Sequence, residues 1–230
     1  MMANLHRQQL SPPGTEIDFV GGLTLAAGRA HEFCGPSRRI LALMLAGQLA
    51  GPVIWITSGW RKTRLNAEGA LAYMNPGRLL LVSPSRGQDV LWSMEEALRS
   101  GAVALVVADL SEIPALVPVR RLHLAAEAGA VDGMAPTGII LTQGAGGAQG
   151  IESRWHLSPY HAGDVIRWHL ECRHARSTPP RAWILTRNKG RLTCSGAGHI
   201  SQQGSPAKVL QFPTGEPARQ RLVGISDPVN

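Results

Sequence analysis

Five short apolar runs, Ala30–Cys34, Val53–Thr57, Leu79–Val82, 103–108 and 138–142, alternate along this chain with segments of helical spacing. None of them alternates apolar with polar residues, and an uninterrupted apolar run is the pattern of a strand covered on both faces. Such strands separated by helices are repeated βαβ units, so the sequence predicts an α/β protein with a mostly parallel central sheet flanked by helices. The predicted helices are 37–50, 65–73, 88–100 and 119–128; in the third, Leu91, Met94 and Leu98 share one face. Ser37 stands where it can N-cap the first helix, and Gly101 and Gly129 follow helices at the position that favours glycine.

After residue 142 the pattern changes. Residues 143–150 are Gly-rich and read as a mobile loop, and 155–158, 165–174 and 182–187 read as antiparallel strands joined by turns at 177–180 and 188–190. From 196 to 230 the chain is rich in Gly, Pro, Gln and Ser and reads as a flexible tail. The division expected is therefore an N-terminal segment 1–14, a core domain 15–195 and a tail 196–230. The run 40–56 is long and apolar, but Gln48 and Gly51-Pro52 cut it into a helix and a strand, which argues against a membrane span. Residues 1–14 lack the apolar stretch and cleavage site of a signal peptide, and three cysteines without a Cys-x-x-Cys element suggest neither a disulfide framework nor a zinc ribbon. A reducing cytoplasm is the expected compartment.

Net charge is +7 with a pI of about 10.1, which fits an anionic partner such as nucleic acid. The excess is almost all Arg, however, since Lys62, Lys189 and Lys208 are the only lysines, and a genome biased to Arg, Ala and Gly codons gives the same composition. The basic groups best placed for phosphate contact are Arg61, Lys62 and Arg64 in the loop after the second strand, and Arg187, Lys189 and Arg191 on the late hairpin.

The stretch 28–39 reads as a nucleotide-binding strand and turn with its phosphate loop removed. In a phosphate-loop ATPase an apolar strand runs into G-x-x-x-x-G-K-[ST], whose amides surround the phosphates while the Lys reaches the terminal phosphates and the hydroxyl holds Mg²⁺. Here Gly35-Pro36 begins the turn, and Ser37 leads straight into Arg38, Arg39 and a helical run, with no second Gly and no Lys. Arg38 and Arg39 are expected to be solvated or to face a partner. Asp109 ends an apolar strand, where such an ATPase places its Mg²⁺-holding acid; without a hydroxyl to complete a metal site it reads as a relic or a turn cap. Ile56-Thr57-Ser58-Gly59 offers no carboxylate to activate water after the second strand. His169, Cys172 and His174 do not form a metal site in this reading, because strand geometry sends His169 to the opposite face from the other two. The sequence nominates no catalytic residue, no cofactor and no metal.

Taken in order, these segments resemble the RecA-type recombinase core over roughly residues 17–191. The similarity runs through Ile17-Asp18-Phe19-Val20-Gly21-Gly22-Leu23, the strand before Gly35, Leu79 to Pro84, the strand ending at Asp109, the strand leading to Gln143, and Arg187-Asn188-Lys189-Gly190. Within that group the chain is similar to the ImuA family of translesion-synthesis accessory proteins. The residues concerned are Arg64-Leu65-Asn66-Ala67-Glu68-Gly69, the Leu-Trp-x-x-Glu-Glu-Ala-Leu-Arg-Ser-Gly-Ala segment that starts at Leu91, and the run from Arg120 to Gly129.

The resemblance implies a degenerate RecA-like core acting in the SOS DNA damage response. It also implies partners: an ImuB-like, inactive Y-family polymerase homologue, an error-prone polymerase, RecA as a further candidate, and DNA as an open question. Gly35, Pro36, Ser37, Arg38, Arg39, Asp109 and Gln143 become a vestigial nucleotide site on this reading. The two segments matching the recombinase's DNA loops, 112–118 and 144–150, look too short or too uncharged to hold phosphates. The leading expectation is thus a non-enzymatic adaptor. The rivals are a SulA-type cell-division inhibitor and a divergent nucleotide-binding ATPase.

Overall fold

The computed structural model describes residues 16–59, 65–130, 135–161, 163–188 and 190–196, and the backbone of 210–211. Strands β1 (Glu16–Asp18) and β2 (Thr24–Ala26) form an antiparallel hairpin that the sequence reading did not foresee. The next strands and helices are β3 (Ala30–Cys34), α1 (Arg38–Gln48), β4 (Val53–Thr57), α2 (Ala67–Leu71), β5 (Leu79–Val82), α3 (Asp89–Arg99), β6 (Leu105–Asp109), α4 (Leu116–Ala128) and β7 (Thr137–Leu141). Then come β8 (Ser153–Pro159), β9 (Ile166–Ala175), β10 (Arg181–Asn188), β11 (Arg191–Gly196) and the two-residue β12 (Leu210–Gln211). The last ten strands make one sheet in the order β12-β11-β10-β9-β8-β3-β7-β6-β4-β5, parallel from β8 through β5 and antiparallel from β8 outward to β12. The chain is α/β with a large mixed sheet whose central part is parallel, as the apolar runs require.

Each face of the parallel part has its own core. On one face α1 and α2 pack with the β1–β2 hairpin over Phe33, Trp55, Val107 and Leu141, and this core continues under β8–β11 through Trp155, Leu157, Trp168, Leu170 and Leu185. On the other, α3 and α4 cover Ala30, Ile56, Val106, Ala108 and Ile140. Trp155 and Trp168 are accordingly core residues, as expected, and Trp155 stacks edge-on against Phe19. The antiparallel strands instead alternate: in β9, Trp168, Leu170 and Cys172 are buried while His169, Glu171 and Arg173 stand half-buried on the opposite face. This separates His169 from Cys172, and among the described residues no group of His, Cys, Asp and Glu could hold a metal ion.

Several local expectations are corrected. Ser37 occupies the N-cap position of α1 but its side chain makes no capping hydrogen bond. The helix expected at 65–73 shrinks to α2 because Asn66 caps it, accepting from the Glu68 amide. Helix α4 starts at Leu116, so the presumed loop 112–118 is half helix. Strand β5 is not covered on both faces: it ends the sheet, and Leu80, Leu81 and Val82 are exposed. Strand β11 is a further member of the antiparallel set beyond the three expected, and β12 lies within the segment expected to be a flexible tail; the rest of 197–230 lies outside the described residues, as does the N-terminal segment 1–14. No described helix is long and apolar enough to cross a membrane.

A buried relay pins the hairpin to the sheet. The Trp155 indole N–H donates to Ser153 Oγ at 2.8 Å, Ser153 Oγ lies 2.7 Å from His31 Nδ1, and His31 Nε2 lies 2.9 Å from the Ala26 carbonyl. A carbonyl only accepts, so Nε2 carries the proton and Nδ1 takes the serine hydroxyl's. Burial holds the His31 pKa down at about 4, against 6.5 for an unperturbed histidine. Between those values the unfolded chain binds a proton that the native chain refuses, so the stability His31 contributes is complete above pH 6.5 and is lost as the pH falls toward 4. We expect that loss to reach roughly 3 kcal/mol, and His31→Gln to flatten the pH dependence of the denaturant midpoint between pH 7 and 4. His123 and His156, whose pKa values burial also lowers, supply the slope that remains.

Candidate functional site

Ligands of open α/β sheets bind outside the carboxyl ends of the strands. At that end of this sheet lie the turn after β3, Asp109 at the end of β6, and Thr142 and Gln143 after β7, which is the strand between them. The sheet thus brings together the residues of the predicted vestigial site, and Gln143 is exposed at its rim.

The turn itself is closed by its own chain. Gly35 N–H donates to the Gly144 carbonyl at 3.0 Å, Ser37 N–H to the Leu157 carbonyl at 3.1 Å and Arg38 N–H to the Gly35 carbonyl at 3.4 Å, while Pro36 has no N–H to offer. Gly35 is required here: its φ is +87°, and a Cβ on it would sit 2.6 Å from the Leu157 oxygen and 2.7 Å from the His156 ring. A phosphate loop works by leaving a row of amides free to point at an anion, and these amides already have partners.

The two arginines that follow turn inward, which corrects the expectation that they are solvated or partner-facing. Arg39 Nε donates to Asp109 Oδ2 at 2.6 Å, and Arg38 Nη2 lies 3.9 Å from Asp109 Oδ1 with its Nη1 donating to the Gly35 carbonyl at 3.2 Å. The Asp109 side chain is fully buried, so its charge is met by guanidinium where the ATPase counterpart would meet Mg²⁺. Asp109 is therefore an anchor for the first turn of α1 rather than a surface cap.

A second buried carboxylate, missed by sequence reasoning, organises the opposite side of the same strand end. Glu32 in β3 has no exposed surface. Its Oε1 accepts from Thr142 Oγ1 at 2.6 Å, Gly147 N at 2.9 Å and Ala148 N at 3.3 Å; its Oε2 accepts from Arg154 Nε at 2.5 Å and again from Ala148 N at 3.2 Å. Arg154 Nη2 also donates to the Ala148 carbonyl at 2.8 Å. The Gly-rich segment 143–150 is consequently fastened over Glu32 and onto Gly35, and is not the mobile loop its composition suggested. Gly146, at φ +74°, passes so near that a Cβ would fall 2.8 Å from Glu32 Oε1. The signal available in the sequence was an ionisable pair, His31-Glu32, inside an otherwise apolar strand.

Beside this network His169 Nδ1 lies 3.2 Å from Glu171 Oε1, and Arg173 Nε donates to Glu171 Oε2 at 2.9 Å, which holds the Glu171 carboxyl below the usual range. Cys34, next to His156 in the β3–β8 register, is buried, and burial pushes its thiol up to about 11, which disfavours the thiolate.

Of the residues predicted for nucleic-acid contact, Arg187 and Arg191 are described. Arg187 donates to the Ala72 carbonyl at 3.1 Å and lies 5.0 Å from the centroid of the Tyr73 ring, which makes it a clamp on the end of α2. Arg191 is exposed opposite Asn188. Arg61, Lys62, Arg64 and Lys189 lie outside the described residues.

No family model matches the chain, and no curated protein matches it in sequence.

The two carboxylates differ in what their loss would strand. Glu32→Ala removes the acceptor for a hydroxyl, two amides and a guanidinium in a dry site, and is expected to cost roughly 3–5 kcal/mol in denaturant unfolding. Gly147 and Ala148 should then exchange their amide protons far faster. Asp109→Ala leaves Arg39, whose side chain is 27% exposed, free to rehydrate, so its cost should be smaller, about 2 kcal/mol.

Proposed function

We propose that this chain is a RecA-like accessory protein without enzymatic activity, an adaptor of the ImuA kind that joins an ImuB-like polymerase homologue and an error-prone polymerase in the SOS response. The observation that carries the reading is the turn after β3: its amides are bonded to Gly144, Leu157 and Gly35, and its arginines to Asp109. A nucleotide entering there would have to break backbone hydrogen bonds and displace an ion pair before gaining any contact of its own. The order of strands supports the RecA-like assignment, since β7, which leads to Gln143, lies between the strand of the turn and the strand of Asp109. A protein of this kind acts through its surface, and contact with RecA or DNA belongs to the same proposal.

Coexpression of the chain with a tagged ImuB-like partner tests the adaptor role. A complex that survives purification, with or without DNA, is the expected result, and failure to form one in either condition would remove the proposal. Calorimetry with Mg-ATP is expected to give no binding heat; micromolar binding abolished by Asp109→Ala would favour a divergent ATPase instead.

A further inference from the structure

The two edges of the ten-stranded sheet are treated differently. At one edge β12, a short piece of the chain's own C-terminal segment, adds antiparallel to Arg191 and Leu192 of β11. At the other, β5 has β4 on its inner side and no strand outside it among the described residues. Its four residues are Leu79, Leu80, Leu81 and Val82, and the last three are 50%, 58% and 36% exposed. The register with β4 pairs Leu80 with Ile54 and Val82 with Ile56, on the side of the sheet that α3 and α4 cover, and pairs Leu81 with Trp55 on the α1 side. Apolar side chains therefore meet water on both faces of a bare edge.

Natural sheets protect such edges with a charge, a proline, a bulge or a covering element. Strand β5 has no charge and no proline within it, and its pairing with β4 is regular from Leu79 to Val82. The cation next to it in the chain, Arg78, is held back on the body of the protein, donating to the Gly51 carbonyl at 2.6 Å and the Leu49 carbonyl at 2.5 Å. What the edge fits is an uncharged strand that is apolar on both faces.

We propose that β5 is a homotypic docking strand: two copies of the chain pair β5 to β5, antiparallel about a two-fold axis, and continue one sheet across both molecules. Opposed residues in an antiparallel pair lie on the same face. The axis therefore passes through a residue, with Leu80 facing its own copy or Leu81 facing its own. With Leu81 facing its copy, Leu80 meets Val82, and with Leu80 facing its copy, Leu79 meets Leu81 while Val82 meets Arg78; the first register opposes apolar side chains on both faces and neither juxtaposes like charges, the self-complementarity that an isologous interface needs. The pairing takes up the strand's outward backbone groups, which no described strand pairs, as well as its exposed side chains. A four-residue strand pair falls well short of the roughly 800 Å² per partner of a standard interface, so the dimer is expected to be concentration-dependent and not obligate. This inference is independent of the proposed adaptor role and of the turn after β3.

Sedimentation velocity of the full chain, from about 1 to about 100 µM, tests it, since a small interface dissociates within such a range. The expected result is a shift from monomer toward dimer with rising concentration, abolished by Leu81→Lys, with the thermal unfolding profile of that variant little changed because the residue is 58% exposed. Hydrogen exchange across the same series is expected to show protection of Leu80 to Val82 that grows with concentration. A chain that stays monomeric throughout overturns the proposal, and so does a dimer unaffected by Leu81→Lys. Protection of β5 that is independent of concentration also overturns it, because the occupant would then be a segment of the same molecule.

Discussion

A carboxylate shut away from water must be satisfied by its own chain, and Glu32 is satisfied from three directions at once. Thr142 comes from the end of β7, Gly147 and Ala148 from the glycine-rich segment, and Arg154 from β8. These contacts fix the relative heights of β3, β7 and β8 where the parallel sheet gives way to the antiparallel one. An ion pair of this kind adds little net stability over an apolar substitute of the same volume. Its value is in specification, since other registers of β8 on β3 would leave Arg154 and Glu32 both buried and apart. With the segment 143–150 held down, the Gly144 carbonyl is in place to receive the Gly35 amide, and the shape of the turn follows.

The same logic operates on the α1 face. Asp109 is buried at the end of β6, and the first turn of α1 delivers two arginines to it. Neither Arg38 nor Arg39 is a conventional way to begin a helix, because the first turn favours acidic residues that complement the macrodipole. Their charge is tolerated because Asp109 neutralises it, and α1 is thereby positioned against the strands it covers. The charge of this buried carboxylate is met from within the chain. The two ion pairs belong to different strands, Glu32 to β3 and Asp109 to β6, at the same end of the sheet.

How much of this was legible in the sequence depends on the range over which each feature is specified. Strands β3, β4 and β5 were readable to the residue, because an apolar run between glycine and proline punctuation is a local signal. That β5 lies at an edge was not readable, since an exposed apolar run and a buried one have the same composition. The three-residue strands of the β1–β2 hairpin are too short and too polar in Glu16-Ile17-Asp18 to register, and Arg191 to Gly196 was passed over although Leu192 and Cys194 carry the alternation of a one-sided strand. At the candidate site, Gly35 to Arg39, Asp109 and Gln143 could be nominated by resemblance. Glu32 could not, because its partner Arg154 is 122 residues away and meets it only through the β3–β8 register. Glycine content misled in the same way: Gly146 is present because the backbone passes close over a carboxylate, not because the segment moves.

The contrast between the sheet's two halves bears on where this protein can interact. The parallel half is covered by helices on both faces, so it exposes helix exteriors and the bare edge at β5. Among the described residues the antiparallel half is covered on one face only, and its other face carries Arg154, His156, His169, Glu171 and Arg173, most of them already engaged with one another or with the segment 143–150. A charged face whose members neutralise each other offers few uncompensated groups to a phosphate backbone, and affinity for nucleic acid rests on such groups. The arginines that the described strands and α1 contain are largely committed to carboxylates and carbonyls within the chain. The described part of the molecule also presents apolar surface at β5, where Leu80, Leu81 and Val82 stand exposed at an edge with no described strand outside it.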